Sequence, residues 1–443
     1  MTRIYLDYAA TTPIDPRVLR AMQPYFSEKF GNPGSLHSFG QEAITALDNS
    51  REAIAKSIGA DFREIIFTGS ATEANNLALR GALKWFKGQA MGVSDKQTLN
   101  PSGHTLRPRI IVSAIEHESV LETARSLERD SVEVIYLPVG KNGVVDLKKL
   151  EESLNNQTIL VSVMYANNEI GTIQPIAEIS QVLRNFREAR SQKLEAGSQK
   201  SALPLFHADA AQAFQFLDCD VNKLGMDLMT LSAHKIYGPK GAGALYVRGS
   251  RVQGIGFREE KKLNPNDHAL HPILTGGGQE FGLRSGTENV PFIVGFAKAV
   301  ELVSNSRELE NKRIGDLRDY FWSELQKIYP MAQTNTDYTQ NGTEGGQSQS
   351  AASQHMSVFL PNIINLYFPR HKAEELLTKF DIAGLAASSG SACRSRAVES
   401  SHVIEALGFN KERAKRSIRF SFGRPTTKNE LDKALEIIKI NTK

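Results

Sequence analysis

Residues 205–247 read LFHADAAQAFQFLDCDVNKLGMDLMTLSAHKIYGPKGAGALYV. Three short apolar runs stand out, 205–209 (LFHAD), 228–232 (LMTLS) and 242–247 (AGALYV), each of strand length and parted by polar or helical-length chain. The first ends on Asp209, and the second runs directly into Ala233-His234-Lys235 and a glycine-rich stretch. Toward the N-terminus, 64–68 (EIIFT), 109–113 (RIIVS), 132–137 (VEVIYL) and 158–164 (TILVSVM) repeat the pattern. Apolar strands alternating with amphipathic stretches predict an α/β fold, a mainly parallel sheet covered on both faces. Beyond it a long helix is expected over 290–328, then short mixed elements and a closing helix near 428–440, which together read as a smaller α+β unit.

The 443 residues suffice for two domains sharing an interface. Hydrophobic residues at 40% and charged residues at 23% are the balance of an ordinary globular protein. A net charge of +4, from 53 basic and 49 acidic residues, gives no reason to expect nucleic acid or an anionic membrane as partner. No apolar run approaches the ~20 residues of a membrane span. Residues 1–7 (MTRIYLD) read straight into a strand with no leader, so the expected compartment is the cytoplasm. Four polar segments, 88–108, 188–203, 251–272 and 333–355, read as surface insertions, the last as a mobile loop.

Two cysteines, Cys219 and Cys393, make neither a disulfide framework nor a metal cluster. Cys219 lies between Asp218 and Asp220, whose charges would raise a thiol pKa, and reads as a packed bystander.

The chemistry-bearing residues gather at strand ends. Ser232, His234 and Lys235 put a hydroxyl, an imidazole and an amine near one point, which suits a phosphorylated aldehyde cofactor: a Schiff base on Lys235, with Ser232 and His234 on the phosphate. Asp209 could hold the proton on a pyridine nitrogen, with Gln212 spaced to reach the ring oxygen; without the lysine pattern downstream, Asp209 would read as a helix N-cap. Ser70-Ala71-Thr72-Glu73 has capping-box spacing at a helix start, where backbone N–H groups and the dipole favour an anion. His117 and Asn168 each follow a strand; a histidine there can stack on a flat cofactor and move protons. The glycine-rich stretch 275–290 matches neither a Walker A nor a Rossmann fingerprint.

Taken in order, YLDYAATTP (5–13), GNPGSLHSFG (31–40), FTGSATEANN (67–76), EHE (116–118), NNEIG (167–171), HADAAQ (207–212), SAHKIYGPKG (232–241), RSGTENV (284–290), SSGSAC (388–393) and SIRFSFGR (417–424) resemble the NifS/IscS-type cysteine desulfurases. The resemblance runs from Tyr5 to about Lys439. It implies the type I fold of pyridoxal 5'-phosphate (PLP) enzymes, class V aminotransferase group. The large PLP-binding domain would be 15–300, and the smaller domain 1–14 with 301–443. The enzyme would be a homodimer with sites at the interface.

The resemblance makes Lys235 the Schiff-base lysine, stacks His117 on the ring, and puts Asp209 at the pyridine nitrogen and Gln212 at the ring oxygen. Ala71, Thr72, Ser232 and His234 would hold the phosphate, with Thr287 reaching in from the other subunit. Asn168 and Arg419 would hold the substrate carboxylate, the latter through its two-pronged fork. Cys393 would accept the sulfur of L-cysteine as a persulfide, leave alanine, and pass the sulfur to an acceptor protein such as an iron–sulfur scaffold. Selenocysteine cleavage or another class V reaction is the alternative. The sequence departs from the resemblance at Gly69-Ser70, which reverses the expected order, and at Arg394-Ser395-Arg396, where small polar residues are usual.

Overall fold

The structure is a computed structural model, and it describes residues 3–92, 107–192, 203–249, 270–336, 358–390 and 400–443. Seven strands form the main sheet: β2 (Ile65–Thr68), β3 (Arg109–Ser113), β4 (Glu133–Leu137), β5 (Thr158–Ser162), β6 (Leu205–Asp209), β7 (Leu228–Ser232) and β8 (Gly243–Val247). Their spatial order is β2-β8-β7-β6-β5-β3-β4. All neighbours are parallel except β8, which runs antiparallel to both β2 and β7. The sheet is therefore mainly parallel, as the apolar strands predict, with one reversed strand where the glycine-rich stretch after Lys235 turns the chain back.

Alternation along each strand divides the core into two faces. Phe67, Ile111, Val161, Phe206 and Tyr246 join one apolar cluster, while Ile66, Ile110, Leu160, Leu205 and Leu245 join another across the sheet. Helices cover both sides, so each of these side chains is lost to water, worth about 1.5–3 kcal/mol apiece.

The C-terminal part is organised by the helix Val290–Ile328, 39 residues long. It packs along the helix Ser38–Ser57 and, further on, against Lys428–Asn441. Near its end Phe321 packs on Phe420 and Phe422, with ring centroids 5.1 and 5.5 Å away. Those phenylalanines belong to or follow β12 (Ser417–Ser421), part of an antiparallel sheet ordered β12-β10-β9 with β10 (Ile363–Tyr367) and β9 (Gln333–Thr334). The N-terminal β1 (Ile4–Tyr5) pairs in parallel with β11 (Leu385–Ala386). Both ends of the chain thus meet beside the main sheet.

Three of the expected insertions are shorter than the composition suggests. Residues 88–92 end the helix Ala71–Gly92, and 188–192 end the helix Ile176–Gln192. At 333–355, Gln333 and Thr334 are a paired edge strand rather than mobile loop. Polar composition hid this, because the anchoring is itself polar: buried Asn335 donates to Asn365 Oδ1 (2.7 Å) and to Ser417 Oγ (2.8 Å). Within those insertions 93–106, 193–202, 251–269 and 337–355 lie outside the described residues, as do Cys393, Arg394 and Arg396. Among the described residues, no helix is long and apolar enough to cross a membrane.

Candidate active site

A cavity of about 170 Å³ opens at the C-terminal ends of β3, β5, β6 and β7, where a parallel sheet places its ligands. Ala71, Thr72, His117, Asn168, Asp209, Gln212, Ser232, His234, Lys235 and Arg419 all line it. Thr287 does not; it is exposed on the surface of this protomer.

The register explains one end of the cavity. Gly243, first residue of β8, sits opposite both Thr68 of β2 and Ser232 of β7. A Cβ there would lie 2.7 Å from the Ser70 carbonyl carbon, so only glycine lets the start of the helix Ala71–Gly92 come this close to β7. Ser70 Oγ accepts from the Glu73 backbone N–H (3.1 Å), while Glu73 Oε2 accepts from Gly69 N–H (2.8 Å). The capping box is present, but its return arm reaches Gly69 instead of the cap residue. Arg284 donates to Glu73 Oε1 (2.7 Å) and holds that arm in place. Facing this helix start, Ser232 Oγ is buried with no hydrogen-bond partner among the described residues. A buried unpaired hydroxyl costs about 1–3 kcal/mol, and here it points to where an anionic oxygen would settle.

His234 shares this end. Burial first, then the charges of Lys235 and Lys240 and the nearby His117, push its pKa down to about 4, so it is neutral at pH 7. Its Nδ1 lies 3.1 Å from Thr11 Oγ1. Lys235, on the short turn Ala233–Lys235, donates from Nζ to the carbonyls of Ala9 (2.6 Å) and Ala10 (2.9 Å). Gln212 Nε2 donates to the same Ala9 carbonyl (2.8 Å).

Across the cavity, Asp209 is buried at the end of β6. Its Oδ1 accepts from Ala211 N–H (2.9 Å), the local turn that a strand-end aspartate makes, and its Oδ2 accepts from Asn75 Nδ2 (2.7 Å). Asn75 also donates to Ser119 Oγ (2.8 Å), which lies 2.9 Å from His117 Nδ1. The backbone N–H of Ser119 donates to that same Nδ1 (3.1 Å), so a neutral His117 carries its proton on Nε2. His117 thereby caps the helix Glu118–Glu128 while one face lines the cavity. A single chain of hydrogen bonds links Asp209 to His117.

At the third corner Arg419 is 1% exposed, donating to the Asn168 carbonyl (2.8 Å) and to Asp7 Oδ1 (2.6 Å). Its Nε has no partner among the described residues. Cys219 is remote and buried; burial, opposed by Arg307 and slightly aided by Asp218, pushes its thiol up to about 12. Among the described residues, no cluster of histidine, cysteine and carboxylate could hold a metal.

These features fit PLP. The unpaired Ser232 hydroxyl and the helix start suit its phosphate, buried Asp209 its pyridinium nitrogen, and Lys235 its aldehyde. The aminotransferase class-V family profile matches residues 4–434. The chain belongs to this class-V family. A cysteine desulfurase IscS of Dictyoglomus turgidum is 40% identical over 436 residues, covering 98% of this chain and 93% of the relative. A solved NifS-like protein superposes with a TM-score of 0.78 at 32% identity, covering 99% of both chains. A second solved structure, SspA in complex with cysteine, gives a TM-score of 0.70 at 31% identity over 95% of this chain and 98% of that one.

Like other class-V enzymes, this one depends on PLP. Two of its site elements escaped the sequence reading. Asn75 carries the Asp209–His117 connection, and only its place one turn into a helix that begins at a strand end could have drawn attention to it. The Ala9 and Ala10 carbonyls act through backbone, which no side-chain pattern reveals.

Proposed function

We propose that this class-V cysteine desulfurase leaves the sulfur of L-cysteine on Cys393 as a persulfide, and that it uses the cavity residues in the roles their positions suggest. The observation that carries the reading is the cavity itself: an amine, a buried carboxylate, a stacking-competent imidazole and a buried guanidinium converge on about 170 Å³.

In this reading PLP, when bound, supplies an electron sink for the bonds around the substrate's Cα. Ser232, His234, Ala71 and Thr72 hold its phosphate, Asp209 keeps its ring nitrogen protonated, and Gln212 reaches its ring oxygen. Thr287 adds a phosphate contact from the second subunit of a homodimer. Supporting that, Phe26, Phe30, Leu36 and Phe39 are all exposed large apolar side chains, and Phe26 packs on Phe292, close in sequence to Thr287.

Asn168 and Arg419 orient the substrate carboxylate. Nε of Arg419 is the ready donor, and its bond to Asp7 fixes the plane of the fork. Lys235 takes the proton from the substrate Cα, and His117 Nε2 is placed to hand a proton to or from the substrate thiol. The Cys393 thiolate then attacks the substrate sulfur. An S–S bond forms, the Cβ–S bond breaks with its electron pair remaining on carbon, and that carbon takes up a proton to become the methyl group of alanine. One cysteine and one enzyme thiol give one alanine and one enzyme persulfide, with no external oxidant. The smaller domain, 1–14 with 301–443, carries Cys393, and the larger, 15–300, carries the PLP floor. The reading takes the protein as cytoplasmic and the persulfide as destined for an acceptor protein.

The test is incubation with L-cysteine, assaying alanine and mass-mapping the persulfide. Cys393→Ala should bind PLP and L-cysteine as before but lose persulfide formation and fall at least about 100-fold in turnover. Alanine and sulfide released at the wild-type rate by Cys393→Ala would sink the assignment in favour of direct sulfur elimination.

A further inference from the structure

The turn after β5 carries a second acidic group with no place in the chemistry above. In Asn167-Asn168-Glu169-Ile170, Asn167 Oδ1 accepts from the backbone N–H groups of Glu169 (2.8 Å) and Ile170 (3.0 Å). Asn365 Nδ2 donates to the Glu169 carbonyl (3.1 Å). The backbone here is therefore held on both sides. Asn168 lines the cavity, whereas the Glu169 side chain is 2% exposed and lies outside the lining.

The Glu169 carboxyl is engaged elsewhere. Oε2 accepts from Ser401 Oγ at 2.5 Å. Because Ser401 Oγ itself accepts from Ile404 N–H (3.2 Å), capping the helix His402–Ala406, its single hydroxyl proton is free for Glu169. The same carboxyl lies against Gly390: a Cβ built there would be 3.1 Å from Oε2 and 3.4 Å from Cδ, at a φ of +143° that favours glycine. Gly390 is held in turn, since Ser388 Oγ donates to its carbonyl (3.1 Å) and Ser388 bridges Arg419 through the pair Arg419 N–H to Ser388 O, 2.6 Å, and Ser388 N–H to Arg419 O, 3.2 Å.

Gly390 and Ser401 stand on either side of 391–399, the segment that contains Cys393. One buried carboxyl touches both. Three residues of chain span at most about 11 Å, so where Gly390 is held bounds where the Cys393 thiol can go.

We propose that Glu169 is a positioning residue for sulfur transfer: by holding Ser401 and Gly390 together, it fixes the two anchor points between which Cys393 lies in the sequence. The inference rests on the reading of Cys393 as sulfur acceptor. Attack on sulfur needs the two atoms near contact and in line, and a misplacement of about 1 Å can cost two orders of magnitude. Glu169 never touches substrate; it acts through the segment's ends.

Three single-turnover readouts on the PLP-loaded enzyme separate this role from a general one: L-cysteine binding by the spectral change, persulfide on Cys393 by mass spectrometry, and alkylation of Cys393 by iodoacetamide without substrate. Buried Cys219 serves as the internal control for unfolding. Ser401→Ala and Glu169→Ala should each slow persulfide formation about tenfold or more and speed alkylation, with L-cysteine binding within about twofold of wild type. Glu169→Gln keeps an oxygen to accept from Ser401 and should restore most of the rate. Gly390→Ala, pressing a methyl on Oε2, should resemble Ser401→Ala, and the two decide the matter if Glu169→Ala does not fold. Wild-type persulfide and alkylation rates in Ser401→Ala overturn this inference alone, as does a Glu169→Gln no better than Glu169→Ala. A wild type that forms no persulfide on Cys393 overturns this inference together with the reading beneath it.

Discussion

The two walls of the cavity are built by different means. One wall is the edge of the main sheet, where Ser232, Lys235, Asp209 and His117 stand just past strand ends and Asn75 and Ser119 tie Asp209 to His117. The opposite wall is made from the two ends of the chain. Ser421 Oγ accepts from Ala9 N–H (2.9 Å), Ser421 N–H donates to the Leu6 carbonyl (2.8 Å), and Arg419 reaches Asp7 across 412 positions of sequence. The first wall is set by the sheet, because strands paired on both sides aim its side chains. The second exists only when the chain's ends have met, so folding must complete it before Arg419 can line the cavity. The walls touch at the Ala9 carbonyl, which accepts from both Lys235 and Gln212.

The largest expected effect breaks the first wall at its amine. In the proposed roles, Lys235→Ala removes both the covalent anchor for PLP and the base beside Cα. Turnover should fall by at least ~10⁴-fold and the protein should lose its yellow colour, while the Asp209–His117 chain, which does not involve Lys235, stays formed. Absorption spectra and alanine assays check this. A yellow, active Lys235→Ala protein would mean that another amine holds the cofactor.

The second wall is tested at Arg419. Arg419→Lys keeps the charge but loses the planar fork, and it leaves Asp7 with a point charge in place of a fixed pair. The KM for L-cysteine should rise about 10- to 100-fold, with PLP retention close to wild type. If instead PLP is lost and KM is unchanged, Arg419 serves the cofactor wall, and the division drawn above is wrong.

The contrast between the walls is also a contrast in what sequence can reveal. Strands 109–113, 205–209 and 228–232 and the helix 290–328 could be placed to the residue, because each apolar run is bounded by polar or turn-forming residues. The residues just past those strands could then be singled out by chemistry alone. The second wall offered no such pattern. Nothing in YAATT says that its carbonyls face a lysine more than 220 positions away, and the pairing of Asp7 with Arg419 follows from β1, β11 and β12 meeting in space. Asn75 and Glu169 were equally silent, being polar residues whose meaning lies in partners distant in sequence. Resemblance alone pointed to Arg419 and Thr287; the structure brings Arg419 to the cavity and leaves Thr287 on the surface of this protomer.

The smallest expected effect lies beneath the first wall and sharpens what its burial costs. Glu116 is fully buried next to His117; Ser113 Oγ and Met164 N–H both donate to its Oε1 at 2.6 Å, and its Oε2 has no partner among the described residues. Burial, reinforced by nearby Asp209 and only partly offset by those two donors, pushes its pKa up to about 8, so it is a neutral acid at pH 7. His402 faces the same turn, its Nε2 3.0 Å from the Glu116 carbonyl. An acid whose pKa is raised on folding stabilises the fold fully below its unfolded pKa and loses that contribution as pH climbs through the folded value. From the unfolded pKa to about pH 8 the folded state holds a proton that the unfolded chain has released, so stability falls with pH by up to ~1.4 kcal/mol per unit. His207 and His234, both pushed down to about 4 chiefly by burial, act in the opposite sense, but only below their unfolded pKa, where stability drops as pH falls. Above neutrality both histidines are uncharged in either state, and Glu116 contributes a falling slope up to about pH 8. Glu116→Gln keeps an oxygen for Ser113 and Met164 and cannot ionise, so its thermal midpoint should be flat where the wild type declines. Parallel declines in the two proteins would show that Glu116 is already ionised at neutral pH, and that the first wall tolerates a buried charge beside Asp209.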